Sequence, residues 1–333
     1  MIGGRWSRLS AVVVAAAVLA GCASDDAASD NQDPNRSSAE AEPEGTLSVL
    51  SYNVAGLPQE ISKENPAENI PKISPLLERY DVVLTQEDFD WWKPDGLAAK
   101  TDFVNYHDRL RSAVSHAYRT NPHPGPDAVG IDAAVDRPLL ELGDGLGVLS
   151  RLPIDEDAER VPWDGCFGGF DSGASDCLAM KGFLVTTLTL DDGVEIDLYN
   201  LHGEAGGGPE DQALQERDYQ QLATYLAQRS AGRAVIVAGD TNLHTDREHP
   251  DGGDGADITI WDRFLETTGL TDACAATACD RPGAIDKLAL RSGDGVILEA
   301  IAHRFADEVF VDETGQDLSD HPALEVELGW RRR

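Results

Sequence analysis

Positive charge is what this 333-residue chain has least of. Lys and Arg total 27 against 60 Asp and Glu, for a formal charge of -33. Proteins that wrap a polyanion draw their affinity largely from Lys and Arg, so that role is excluded as the main one. An enzyme that cuts phosphodiesters through a metal ion is not excluded, because the ion supplies positive charge locally. Internal repeats are absent, and so is any second linker or second membrane-length apolar run. One domain is therefore expected after the N-terminal segment. With 41% hydrophobic residues, that domain has enough apolar material for a sizeable core, and the acidity is expected to serve solubility. Cysteine is scarce, at five.

The N-terminus carries the one apolar run of note, Leu9 to Ala20, behind Arg5 and Arg8. It is short for a bilayer span, and its basic flank fits a signal peptide. The run ends in Leu19-Ala20-Gly21-Cys22, which resembles the bacterial lipobox, where the cysteine becomes the lipid-modified first residue. Residues 1–21 then read as a lipoprotein signal peptide and 22–45 as a flexible, polar tether, with the domain over 46–333. Losing residues 1–21 removes two arginines and no acid, so the charge moves from -33 to -35. The expected location is the extracytoplasmic face of the cell membrane, through a lipid on Cys22.

Cys166, Cys177, Cys274 and Cys279 remain. In an exported chain, four cysteines point to two disulfides, with three possible pairings. The local one, Cys166–Cys177 and Cys274–Cys279, closes two short loops and is preferred. A zinc site is the rival, but neither pair has Cys-x-x-Cys spacing and no histidine stands close in sequence.

Strands are expected at Leu47–Val54, Asp81–Gln86, Gly145–Ser150 and Ala234–Gly239, from β-branched and continuous apolar runs. Met180–Leu190 and Val194–Leu201 read as a hairpin about Asp191-Asp192-Gly193. Late strands follow at Lys287–Leu290, Val296–Ala300 and Ala323–Leu328. Helical spacing marks Pro71–Arg79, Gln212–Arg229 and Ile258–Thr267. Residues 90–138 read as irregular. Many strands with a few helices, without regular alternation, make a layered α/β or α+β domain.

Polar residues gather where these strands end: Asn53, Gln86-Glu87, His202, Asp240-Thr241-Asn242, Asp286, and Ser319-Asp320-His321-Pro322 ahead of the last strand. Strand ends are where side chains converge on a ligand in layered proteins. Taken singly, each has a bland reading as a turn former, a solvated charge or a buried histidine. Together, Asn and carboxylates suit a hard cation such as Mg2+ (or Mn2+ or Ca2+), and histidines beside acids suit proton transfer near neutral pH. The combination reads as metal-assisted phosphoester hydrolysis.

These motifs, in this order over about residues 46–329, resemble the endonuclease/exonuclease/phosphatase superfamily. The pair Gly-Asp-Thr-Asn (239–242) and Ser-Asp-His-Pro (319–322) is the specific part. The resemblance implies a four-layered α-β-β-α sandwich of two mixed sheets flanked by helices, with the site at one rim. It implies that Glu87, Asn53 and Asp320 hold the metal and that His321 is the general base, oriented by Asp286. Asp240 and Asn242 would hold phosphate and nucleophile, and His202 would stabilise the scissile phosphate or act as acid.

Ser175-Asp-Cys-Leu-Ala-Met-Lys-Gly-Phe183 is similar to a segment of secreted bacterial sphingomyelinases. With the lipid anchor, this favours a phospholipid head group as substrate. The alternative is a nuclease using the same mechanism, whose backbone contacts would fall to the basic stretch with Arg109, Arg111, His116 and Arg119. No strong nucleic-acid surface is evident, and a monomer is expected. An inactive binding protein is a third reading, opposed by the complete set of histidines and acids. Lys181 and Arg151 are candidate phosphate contacts. Trp91-Trp92 is either an interfacial anchor, a pocket wall or core.

Overall fold

The computed structural model describes residues 42–59, 62–97, 106–170, 172–246 and 255–333. The signal peptide, the lipobox and residues 22–41 of the tether lie outside them. The chain opens with β1 (Gly45–Asn53), α1 (Pro66–Ile73), β2 (Val82–Gln86), α2 (Tyr106–Arg111), β3 (Tyr118–Arg119) and β4 (Gly147–Ser150). It continues through β5 (Glu159–Pro162), β6 (Gly182–Thr189), β7 (Glu195–His202), α3 (Pro209–Arg229), β8 (Ala234–Asp240) and α4 (Ala256–Thr268). It closes with β9 (Thr271–Asp272), α5 (Ala273–Thr277), β10 (Asp286–Arg291), β11 (Val296–Phe305) and β12 (Leu324–Arg332). The stretch expected to be helical from Pro71 starts earlier, at Pro66, and tightens into a 3-10 helix over Ser74–Arg79.

Two 6-stranded sheets result, in the orders β11-β12-β1-β2-β4-β3 and β5-β6-β7-β8-β10-β9. Each is mixed: β1 runs parallel to β2, and β7 parallel to β8, among antiparallel neighbours. This is the four-layered sandwich. Strand parity builds it. Leu47 and Val49 of β1, Val82 and Leu84 of β2, Ile196 and Leu198 of β7, and Ile236 and Ala238 of β8 fill the space between the sheets. Their neighbours of opposite parity point outward. Leu50, Tyr52 and Val83 meet α1 and α2, and Tyr199, Leu201, Val235 and Val237 meet α3 and α4. Strands buried on both faces read as continuous apolar runs, which is why β2 and β8 were legible as such.

Cys166–Cys177 and Cys274–Cys279 are the disulfides, the local pairing expected from spacing. His303 of β11 comes within 4.8 Å of Cys274 and Cys279 although it is remote in sequence. The disulfide leaves those sulfurs no thiolate with which to bind zinc. Among the described residues, no helix is long and apolar enough to cross a membrane.

Candidate active site

The inward stripe of each central strand is apolar along its length and turns polar at one end. On β7 the series Ile196, Leu198 continues as Asn200 and His202; on β8, Ile236 and Ala238 continue as Asp240. On β10, Asp286 precedes Leu288 and Leu290 with the same parity. Register brings these ends together. His202 sits opposite Asp240 in the parallel pair, and Asp240 opposite Asp286 in the antiparallel one. In the other sheet Asn53 lies opposite Gln86, so Asn53 and Glu87 close the site from across the sandwich.

The Asn53 side chain ties the two sheets. Its Nδ2 donates to Glu87 Oε1 at 3.1 Å and to Asp240 Oδ2 at 3.1 Å, while its Oδ1 accepts from Ala55 N at 3.0 Å. Asn53 therefore offers amide hydrogens to the site and places the two carboxylates. Glu87 follows the end of β2 with φ 55°, a left-handed conformation uncommon for a non-glycine residue. Gly56 allows it: a Cβ there would stand 2.2 Å from the Glu87 carbonyl oxygen. Gly239 does the same for Asp240. It has φ 149°, and a Cβ would lie 2.0 Å from Leu201 O.

His321 Nδ1 is 3.0 Å from Asp286 Oδ2, and its Nε2 is 3.6 Å from Asp240 Oδ2. His202 Nε2 is 3.3 Å from the same Asp240 oxygen, and Trp163 Nε1 donates to its carbonyl at 2.8 Å. Burial alone would raise the Asp240 carboxyl, but His321 and His202 hold it well below the ordinary carboxylate range. Asp286 is raised, chiefly by burial. Burial works against charge on His321, yet Asp240 and Asp286 outweigh it and push the imidazole up to about 10. Ser319 Oγ donates to Asn53 O at 2.7 Å and accepts from His321 N at 3.2 Å, which locks the last loop to β1. Asn242, at φ 52°, donates from its backbone N to Asp240 Oδ1 and from Nδ2 to Gly203 O, both at 3.1 Å.

The structure thus gathers Asn53, Glu87, His202, Asp240, Asn242, Asp286 and His321 in one site. Asp320 is different: it is exposed, on the rim beside His321, in a cleft of about 810 Å³ that also takes in His244, Asp246, Asp280 and Arg281. Gln86 and Asn200, part of the motif, do not face the cleft. They bolt the sheets together beneath it. Asn200 Oδ1 accepts from Gln86 Nε2 at 2.7 Å, and its Nδ2 donates to Thr85 O at 2.9 Å and Gly147 O at 3.0 Å.

Other candidates are engaged by protein partners. Arg151 pairs with Glu78 and Asp81 at the opposite end of β2, so it does not contact a phosphate in this site. Lys181 is buried against Asp176 and donates to Gly203 O at 3.2 Å; the nearby carboxylates raise it against the pull of burial. Trp91 is half-buried, its ring 6.2 Å from that of His123, and Trp92 packs with Phe89 and Leu142. The pair is a packed wall. The basic stretch is largely spent as well. Arg111 is buried on Asp88, and His116 is buried with Nε2 2.9 Å from Tyr80 O. Asp88, directly after Glu87, also meets His107 Nδ1 at 3.0 Å; nothing in its local sequence separated this anchor from an ordinary surface acid.

The donor set fits a hard cation. Among the described residues no Lys or Arg forms an ion pair with Glu87, and Asp286 Oδ1 is buried without a partner.

A family model described as "Endonuclease/Exonuclease/phosphatase family" matches residues 50–321. The sphingomyelinase of Mycobacterium tuberculosis (strain ATCC 25618 / H37Rv) is 31% identical over 301 residues, covering 84% of this chain and 52% of that protein. The chain therefore spans about half the length of the curated relatives it matches. Among solved structures, sphingomyelinase C from Streptomyces griseocarneus has a TM-score of 0.59 at 18% identity, over 85% of this chain and 99% of that one. A mutant beta toxin from Staphylococcus aureus with bound magnesium ions has a TM-score of 0.53 at 15% identity, over 85% and 99%. At these identities the structural likenesses speak to the fold.

Proposed function

The chain belongs to the endonuclease/exonuclease/phosphatase family, and on that premise we propose that it is a divalent-metal-dependent phosphodiesterase hydrolysing a phospholipid head group of the sphingomyelin class at the cell surface. The observation that carries the reading is the pair of acid-supported histidines, His321 on Asp286 and His202 on Asp240, with Asn53 tying Asp240 to Glu87. The 31% identity to a sphingomyelinase supports the lipid substrate, and the lipobox at Cys22 supports the membrane location.

Asp286 Oδ2 accepts the hydrogen bond of His321 Nδ1–H and fixes the ring. Asp240 and Asp286 favour the protonated imidazole. A divalent cation at these carboxylates would offset that pull and leave Nε2 free to accept a proton. Nε2 takes that proton from the attacking water, whose oxygen forms the new P–O bond as the P–O bond to the lipid oxygen breaks, and the leaving alkoxide takes a proton from solvent to depart as the alcohol. His202 keeps Nε2 on Asp240 and Nδ1 without a protein partner, and as an imidazolium it would offer the Nδ1 hydrogen to the charge that develops on the phosphoryl oxygens. Asn53 and Asn242 hold Asp240 so that both histidines meet the same oxygen. Glu87, with Asp240 and Asp286 at hand, would hold the divalent cation, which would supply Lewis acidity against transition-state charge.

The test is a paired hydrolysis assay with Mg2+: sphingomyelin and phosphatidylcholine vesicles in one arm, plasmid DNA in the other. Lipid cleavage that EDTA abolishes and Mg2+ restores is expected. Cleavage of DNA alone would reverse the substrate assignment. That outcome is disfavoured because two of the four basic residues of 109–119 are buried.

A further inference from the structure

A second group of acids lies behind the site wall, on a different set of elements. Asp211, Gln215 and Asp218 fall on one face of α3, at helical spacing, and that face is buried. Across from it are Glu204, in the turn after β7, and Asp176, in the loop closed by Cys166–Cys177. Exposure is 1% for Asp176, Glu204 and Asp218, 0% for Gln215 and 6% for Asp211.

Glu204, Asp211 and Gln215 each spend one polar atom on the protein and keep an oxygen idle. Glu204 Oε1 accepts from Phe167 N at 2.7 Å, and Oε2 has no partner. Asp211 Oδ2 accepts from Gly208 N at 3.0 Å, and Oδ1 has none. Gln215 Nε2 donates to Glu204 O and Gly206 O at 3.0 Å, which wedges the amide against the turn and leaves Oε1 unpaired. Asp218 Oδ2 is unpaired as well. Charge is unbalanced too. Four buried carboxylates (176, 204, 211 and 218) face two buried cations, Lys181 and Arg137. Arg137 directs its hydrogen bonds to the carbonyls of Trp163, Gly165 and Ala179, so it leaves the carboxylate oxygens idle. With all four ionised, two negative charges remain. An uncompensated buried charge is costly, and so is an unpaired buried oxygen.

We propose that Glu204, Gln215 and Asp218, with Asp211 at the edge, form a structural cation site that takes one hard divalent ion of calcium's class, separate from the catalytic centre. One such ion matches both the missing charge and the idle oxygens. No three carboxylates here bring oxygens within 4.8 Å of one another. The ligand shell therefore needs the Gln215 amide and main-chain oxygens, a mixture that calcium accepts and zinc does not. Its effect would be to pin the turn after His202 to α3 and, through the Gln215 contact with Asn242 O at 3.4 Å, to the loop after Asp240.

The test counts calcium on the full chain carrying Glu87→Gln, which weakens the catalytic centre, by equilibrium dialysis. That protein is expected to bind one ion per chain more than the same protein with Glu204→Gln and Asp218→Asn added. Its melting temperature should rise with calcium, and that of the combined variant should not. If the combined variant does not fold, the isosteric Asp218→Asn alone is expected to weaken calcium binding at least tenfold. Unchanged stoichiometry or affinity, with stability set by pH and not by calcium, would assign the idle oxygens to buried protons and overturn the proposal.

Discussion

Removing the Asn200 side chain is the sharpest test of how the site is supported. Asn200→Ala deletes three hydrogen bonds in a region with no exposure, those to Thr85 O and Gly147 O and that from Gln86 Nε2, while Thr85 and Gly147 keep each other as ladder partners. Each lost buried hydrogen bond costs about 1–1.5 kcal/mol, and the space left by the amide adds to that. Gln86 keeps its bond to Ser51 Oγ at 3.3 Å, so it is the least affected. The sum is roughly 3–5 kcal/mol. At about 2 °C per kcal/mol for a domain of this size, the melting temperature should fall by about 6–10 °C. Calorimetry on Asn200→Ala, Asn200→Leu and wild type decides the cause. If hydrogen bonding matters, Asn200→Leu is no better than Asn200→Ala, because it fills space and pairs nothing. A shift under about 2 °C, or rescue by leucine, would refute the polar-bolt account and make Asn200 a packing residue.

His321→Ala should lower turnover at least ~100-fold, the scale of losing a general base, with circular dichroism unchanged; near-wild-type rates would remove His321 from the mechanism. Stability without divalent ions should decline with pH. Burial pushes Glu204 from 4.5 up to about 8 and Asp218 from 3.8 up to about 9. The folded chain then holds protons the unfolded chain has released. That contribution is complete below about pH 4 and lost as pH rises through 8–9, so melting in chelator should worsen from pH 5 to 9. Glu204→Gln should flatten the slope, and an unchanged slope would contradict the assignment. Cys22→Ser should release the protein from membranes on fractionation; retention would exclude the lipobox reading.

Much of the site was legible because strand parity is rigid. Once Ile196 and Leu198 face the core, Asn200 and His202 must face the same side, and Ile236 and Ala238 carry Asp240 likewise. A polar residue ending an apolar stripe is thus a site signal. Side chains whose meaning depends on partners far along the chain were not legible. Arg151 is an ion-pair partner of Asp81 at the wrong end of its strand, and Arg111 is consumed by Asp88. Trp91-Trp92 pack as wall because the 142–143 segment folds over them.

What the linear chain determined by itself was therefore the layered class, the two short disulfide loops and the row of chemistry-bearing strand ends. All of these rest on local periodicity or short loop closure. Only the tertiary structure decided that Asn53 joins Glu87 to Asp240 across the sheets and that Gln86 and Asn200 support the site from below. It also decided that Gln215 of α3 holds the turn carrying Glu204. Those relations depend on register and sheet packing, which bring residues as far apart as 187 positions within 3.1 Å, and no local pattern encodes that distance.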